Sequence, residues 1–231
     1  MMKINFVEFG QTPIDDDEKQ ALIPSLNTLE ELNVWEHENI IEARKWALNP
    51  RIIGRYDVFD VNFLLKLHEK MLDKTWKWAG RLRTSGKNIG CDPYQIRTEL
   101  KTLCDDAKYW LEHQTYSIEQ FALVFHHRLV KIHLFPNGNG RHARLVSDCI
   151  IKKFAPAKKI DWQGKNFRSA EELRKNYILA LRKADSGSYL ELFDLFLGQN
   201  IRDVLSAQKT LKAAKNNDDF VSFDEVFKDA K

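Results

Sequence analysis

The chain has 231 residues, 43% of them hydrophobic, which suffices to bury a core and to form one domain with appendages. Its 36 Lys and Arg against 33 Asp and Glu leave a net charge of +3, so direct nucleic-acid binding is not expected. Cys91, Cys104 and Cys149 are odd in number and form no CxxC pair, which argues against a disulfide framework or a zinc knuckle and for a reducing, cytoplasmic setting.

In chain order, the N-terminus lacks the apolar core of a signal peptide, and no later apolar run is long enough to cross a bilayer. Residues 11–25, QTPIDDDEKQALIPS, read as an acidic, Pro-punctuated lead-in. Thr28 and Glu31 spell a capping box, which predicts a helix running to about Ala47, before Asn49-Pro50 stops it. Leu29, Leu32, Ile40, Ala43 and Ala47 form its apolar stripe. Glu36 falls inside that stripe, and a carboxylate on a packing face needs a cationic partner. Residues 60–72, DVNFLLKLHEKML, read as a second helix capped by Asp60.

The segment WKWAGRLRTSGKNIGCDPYQI breaks the helical rhythm with Gly80, Gly86, Gly90 and Pro93. RLRT and NIGC, on either side of SGKN, predict a small β-hairpin. Helices resume at roughly 93–112 and 117–132; Ser117 and Gln120 open the second, and Phe121, Val124, Phe125, Leu129 and Ile132 recur along it at helical spacing. RHARLVSDCIIKKF, SAEELRKNYILALRKA and SYLELFDLFLGQNIRDVL supply three more helices, followed by a polar tail in which SFDEVF could form a last amphipathic turn. The expected fold is all-α, a helical bundle with one hairpin inserted.

Joining the helices at 117–132 and 141–154, and running into the first turn of the second, is HLFPNGNGRHAR. A helix N-terminus exposes unsatisfied N–H groups and carries roughly half a positive charge. Gly138 and Gly140 let the backbone bend so that several N–H groups converge on one anion. Arg141 and Arg144, three residues apart, share a helix face and can both reach it. Two cations at the positive end of a helix point to an absent negative ligand, and a polyphosphate fits.

This stretch resembles the Fic motif, His-Pro-Phe-x-(Asp/Glu)-Gly-Asn-Gly-Arg-x-x-Arg. LHEKMLDKTWKWAGRLRT upstream and NYILALRKADSGSYLELFDLF downstream are similar to the family's flanking segments, so the likeness covers about residues 60–198. FPNGNGRHARL further resembles the Fic subgroup called mobile mystery protein B, whose members travel beside a small DNA-binding partner. The resemblance divides the chain into a lead-in with a candidate inhibitory helix (1–59), a Fic domain (60–200) and a C-terminal helical tail (201–231).

It implies a protein adenylyltransferase that moves AMP from ATP to a Ser, Thr or Tyr hydroxyl of a target protein. His133 would be the general base. Gly138, Asn139 and Gly140 would surround the inner phosphates, Arg141 and Arg144 would hold the polyphosphate, and Phe135 would anchor the loop. The hairpin, through Arg83, Thr84, Ile89 and Gly90, would be a flap that docks the target by strand addition.

Two positions depart from the pattern. Leu134 replaces proline, and Asn137 replaces the acidic residue that binds Mg²⁺ in the family. An amide oxygen ligates magnesium without neutralising it, so weaker metal binding is expected. That leaves open a nucleotide-binding regulatory or toxin-like module without AMP transfer. It also leaves open transfer of another nucleotide or of the γ-phosphate, although Gly140 stands where the Doc kinases carry lysine.

Many relatives are restrained by a helix bearing (Ser/Thr)-x-x-x-Glu-(Gly/Asn), whose glutamate pairs with the second motif arginine. Glu38-Asn39 matches in part, with Val34 in the Ser/Thr position, and Glu36 lies one helical step away. Either is a candidate to meet Arg144.

Overall fold

The computed structural model describes residues 20–26, 28–164 and 169–198; the expectations for the start of the lead-in and for the tail beyond 198 lie outside the described residues. The helices within this range are α1 (Leu29–Ala47), α2 (Pro50–Arg55), α3 (Val61–Leu72), α4 (Ile96–Glu112), α5 (Ile118–Ile132), α6 (Asn139–Phe154), α7 (Ala170–Asp185) and α8 (Leu190–Leu197), with a single 3₁₀ turn at Pro93–Gln95 before α4.

Their ends follow local chemistry. Thr28 and Glu31 close the predicted capping box at 3.1 Å in both directions, and the Asp60 and Ser117 side chains accept from Phe63 N–H and Gln120 N–H. The short helix α2 is not among the predicted elements, because Asn49-Pro50 reads as a stop. The pair is also a start. Asn49 caps α2, its Oδ1 accepting from Arg51 N–H at 2.9 Å, and Pro50 stands in the first turn, where its missing N–H costs nothing.

The α5–α6 pair forms the centre of the molecule. Phe121, Leu123 and Phe125 of α5 and Val146 and Ile150 of α6 meet Phe63, Leu64, Leu67 and Met71 of α3, all at 2% exposure or less. Full burial of each such side chain contributes about 1.5–3 kcal/mol. α1 lies on α3 through Leu32, Glu36, Asn39, Ala43 and Ala47, so two polar side chains sit in its packing face. Asn39 caps the end of α3: its Nδ2 donates to the Lys70 carbonyl at 3.2 Å, and its Oδ1 accepts from Lys74 N–H at 3.1 Å.

The expected hairpin is not formed. Among the described residues the strand pairing is one isolated antiparallel bridge, Leu22 with Trp76. Residues 81–92 do not pair with each other because their end donors are used elsewhere. Arg83 N–H donates to the Leu134 carbonyl at 2.9 Å and Cys91 N–H to the Ile132 carbonyl at 3.4 Å. The segment is a collar around the α5–α6 corner.

Candidate functional site

The corner between α5 and α6 is built from residues 133–138. His133, the C-cap of α5, stands at φ +59 and Gly138, the N-cap of α6, at φ +79, both left-handed. Asn139 closes the loop on itself: its Oδ1 accepts from Phe135 N–H at 2.9 Å and its Nδ2 donates to the Phe135 carbonyl at 2.7 Å. Both backbone groups are buried, and leaving either unmet costs about 1–3 kcal/mol. Asn139 is therefore the brace of the loop, a role its place in the motif does not reveal.

Phe135 is fully buried and stacked on His68, ring centroids 3.5 Å apart, and has no surface to offer a ligand. His68 lies outside the motif and is not among the predicted site residues. Its Nδ1 accepts from Gly80 N–H at 3.0 Å, which leaves Nε2 to donate to the Asn137 carbonyl at 3.1 Å. Its place beside Leu64, Leu67, Met71 and Leu72 on the buried face of α3 is the signal the sequence offers for it.

A cleft of about 1540 Å³ opens over this corner and is lined by His133, Gly138, Gly140, Arg141, Arg144 and Glu36 among others. A methyl group placed on Gly140 would touch nothing within 4 Å, so the first turn of α6 faces open space. His133 lies at 4% exposure. Its pKa is pushed down to about 4, chiefly by burial and then by the charges of Arg83 and Lys87, against a backbone hydrogen bond at Val130. The ring is neutral at pH 7.

Arg141 and Arg144 part company. Arg141 pairs with Glu36, whose other oxygen accepts from the Trp76 indole N–H at 2.7 Å, and it also reaches Asn137 Oδ1 at 3.4 Å. Arg144 lies in an aromatic slot, its guanidinium carbon 5.8 Å from the Trp162 ring centroid and 5.1 Å from that of Tyr177. The expectation that a glutamate meets Arg144 is corrected: Glu36 meets Arg141, because Arg144 is turned toward α7. Glu38 is exposed on the far side of α1.

The expected docking residues are divided too. Thr84, Ile89 and Gly90 are exposed, whereas Arg83 is 3% exposed and points inward, its Nε donating to the His133 carbonyl at 2.6 Å. It cannot be a docking side chain while its fork holds the loop. Asn137 Oδ1 accepts from Gly138 N–H, and no cluster of three His, Cys, Asp or Glu suited to a metal occurs among the described residues.

Residues 58–151 match the model of the Fic/DOC family. Over 160 residues the chain is 28% identical to protein adenylyltransferase fic-1 of Caenorhabditis elegans, covering 64% of this chain and 29% of that protein. The chain thus spans about three-tenths of that relative's length. Among solved structures, the N-terminal Fic domain of a Bep effector protein from Bartonella quintana, with bound ADP, is similar at TM-score 0.59 and 23% identity, covering 76% of this chain and 87% of that one. The BepC protein from Bartonella tribocorum, with bound AMPPNP, is similar at TM-score 0.58 and 19% identity, covering 78% and 96%. Both have the same all-α fold. No helix among the described residues is long and apolar enough to cross a membrane.

Proposed function

We infer that this chain, which carries a Fic/DOC-family domain across residues 58–151, transfers AMP from ATP to a hydroxyl of a target protein. The observation that carries the reading is the corner itself. A neutral, buried His133 and the open first turn of α6 share one cleft, with Arg141 and Arg144 on its wall. The relatives' activity as adenylyltransferases supports it.

In this reading the N–H groups at the start of α6 and both arginines hold the polyphosphate, with Arg144 at its outer end. His133 accepts the proton of the target hydroxyl as its oxygen bonds to the α-phosphorus. The bond from that phosphorus to the bridging oxygen breaks, and pyrophosphate leaves with the electron pair. The protein's work is positioning and charge stabilisation, as in phosphoryl transfer generally. The target segment lies along residues 84–90, where Thr84, Ile89 and Gly90 are exposed.

Magnesium fits the protein's own donors poorly. The Asn137 oxygen already accepts from Gly138 N–H and faces Arg141, and it brings no charge. A divalent ion here would be held mainly by the phosphates.

The Glu36–Arg141 pair supports self-inhibition. A guanidinium bound to a buried carboxylate must be released before it can serve a phosphate, so the described state is a restrained one.

The test is incubation of the purified chain and of Glu36→Gln with ATP labelled at the α- or the γ-phosphate, with Mg²⁺ or Mn²⁺ and cell lysate. Protein labelled from α-ATP alone and lost in His133→Ala is the expected result. Label from γ-ATP alone would replace the reading with a kinase. Nucleotide binding without any label would replace it with a regulatory module, for which a co-purifying DNA-binding partner would be the next thing to seek.

A further inference from the structure

The last carbonyls of a helix have no donor within the helix, and a glycine turn or a nearby cation commonly answers them. α5 ends without glycine. Its C-cap is His133, and left-handed backbone at a residue with a Cβ is strained.

What answers this end is Arg83, from 50 positions upstream. Its Nε donates to the His133 carbonyl at 2.6 Å, its Nη2 reaches the carbonyls of Ile132 and Cys91, and its Nη1 donates to the Ser85 carbonyl at 2.9 Å. No carboxylate lies within ion-pair distance of it among the described residues. A buried guanidinium satisfied by carbonyls alone is unusual, because an acidic partner ordinarily offsets its desolvation. Here the negative end of α5 supplies that compensation, together with the more distant charge of Asp92.

The collar also presses on His133 from the other side. A methyl group on Gly90, which stands at φ +103, would lie 2.6 Å from His133 Cβ and 2.7 Å from Arg83 Nη2. Only glycine lets the chain cross so close.

We propose that Arg83 is the positioning residue of His133: a helix cap supplied from outside α5 that fixes the left-handed turn and, through it, the direction in which the imidazole enters the cleft. The proposal rests on the reading of His133 as the base. A planar fork spans carbonyls of both the helix end and the collar, which a single ammonium does not. Among the described residues the charges of Arg83 and Lys87 add to burial in lowering the ring's pKa, so the cap also helps keep the ring neutral.

The experiment compares the full chain with Arg83→Lys, Arg83→Gln and Gly90→Ala. The readouts are AMPPNP affinity, AMP transfer at saturating ATP, and NMR titration of the His133 ring. Arg83→Lys keeps the charge, so it should leave the titration low and AMPPNP affinity unchanged while kcat falls about 10²-fold, the scale of a small misplacement. Arg83→Gln should show the same loss with the titration moved up toward the ordinary histidine value. Wild-type kcat in Arg83→Lys would overturn the proposal, as would loss of kcat and nucleotide affinity together in proportion to a lowered Tm. If Arg83→Gln does not fold, Gly90→Ala decides, since its methyl presses on both His133 and the Arg83 fork without removing the guanidinium; unchanged kcat there overturns the proposal. Should the wild-type chain transfer nothing while Arg83→Gln moves the His133 titration and chemical shift, the AMP-transfer reading fails and the cap stands.

Discussion

Glu36 and Arg141 lie 105 positions apart and form an ion pair in the lining of the cleft, with the carboxylate 5% exposed and the guanidinium 38%. The asymmetry matters. Glu36 is fixed by the Trp76 indole as well, whereas Arg141 can swing into solvent or onto a phosphate.

Replacing Glu36 by Gln should therefore free Arg141 without emptying the packing face. AMPPNP affinity should rise about tenfold, the worth of one hydrogen bond to a charged group, and AMP transfer should rise with it. Isothermal titration of both proteins checks the first, and the labelled-ATP assay the second. Glu38→Gln, on the exposed side of α1, should change neither.

The two glycines of the loop should separate fold from binding. At Gly138 a methyl group would meet Leu72 Cδ1 at 3.0 Å and His68 Nε2 at 3.2 Å with φ at +79, so Gly138→Ala should cost about 1–3 kcal/mol of stability. At Gly140 the methyl meets no neighbour and enters the cleft. Gly140→Ala should keep the wild-type Tm and lose AMPPNP affinity by at least about tenfold, the equivalent of roughly 1.4 kcal/mol. Thermal melts and titrations of the pair decide; equal behaviour of the two would contradict the assigned geometry.

Tyr177 links the second arginine to the interior. Its ring carries Arg144, and its hydroxyl hydrogen-bonds His126 Nε2 at 2.8 Å. Tyr177→Phe keeps the ring and removes the tether, so AMPPNP affinity should fall about three- to tenfold, the range of one net hydrogen bond. Because Arg144 is assigned to the outer phosphate, ADP affinity should change less. A parallel loss for both nucleotides would refute that assignment.

Buried histidines predict acid sensitivity. Burial pushes His126 down to about 3 and His133 and His142 down to about 4, and it holds His68 well below its ordinary value. In the unfolded chain these rings take up protons near pH ~6.5. Between that pH and about 4 the unfolded state binds more protons, so stability falls as pH falls. The stability is complete above pH ~6.5 and declines by up to about 1.4 kcal/mol per pH unit per histidine below it. Tm should be nearly level from pH 8 to 7 and drop steeply between 6 and 5; a level Tm down to pH 5 would mean that these rings are accessible to protons.

Helix ends are legible in the sequence because the residues that stop and start a helix act on neighbours within four positions, as at Thr28, Asp60 and Ser117. Choices made across the fold are not. Gly86 and Gly90 read the same whether RLRT and NIGC pair with each other or with a third segment, and the deciding partners, Leu134 and Ile132, sit in another element. Glu36 announces itself as a charge in an apolar stripe, but the stripe says nothing about which arginine answers. Arg141 and Arg144 share a helix face, and it takes Trp162 and Tyr177, aromatic residues outside the motif, to draw one of them away.

The two halves of the site are secured by different parts of the chain. Residues 135–139 brace the anion cradle from within, whereas His133 is steadied by the collar at 83–91. In the proposed reading, capture and turnover are thus separable, and a lesion in the collar should leave a protein that still binds nucleotide but modifies nothing.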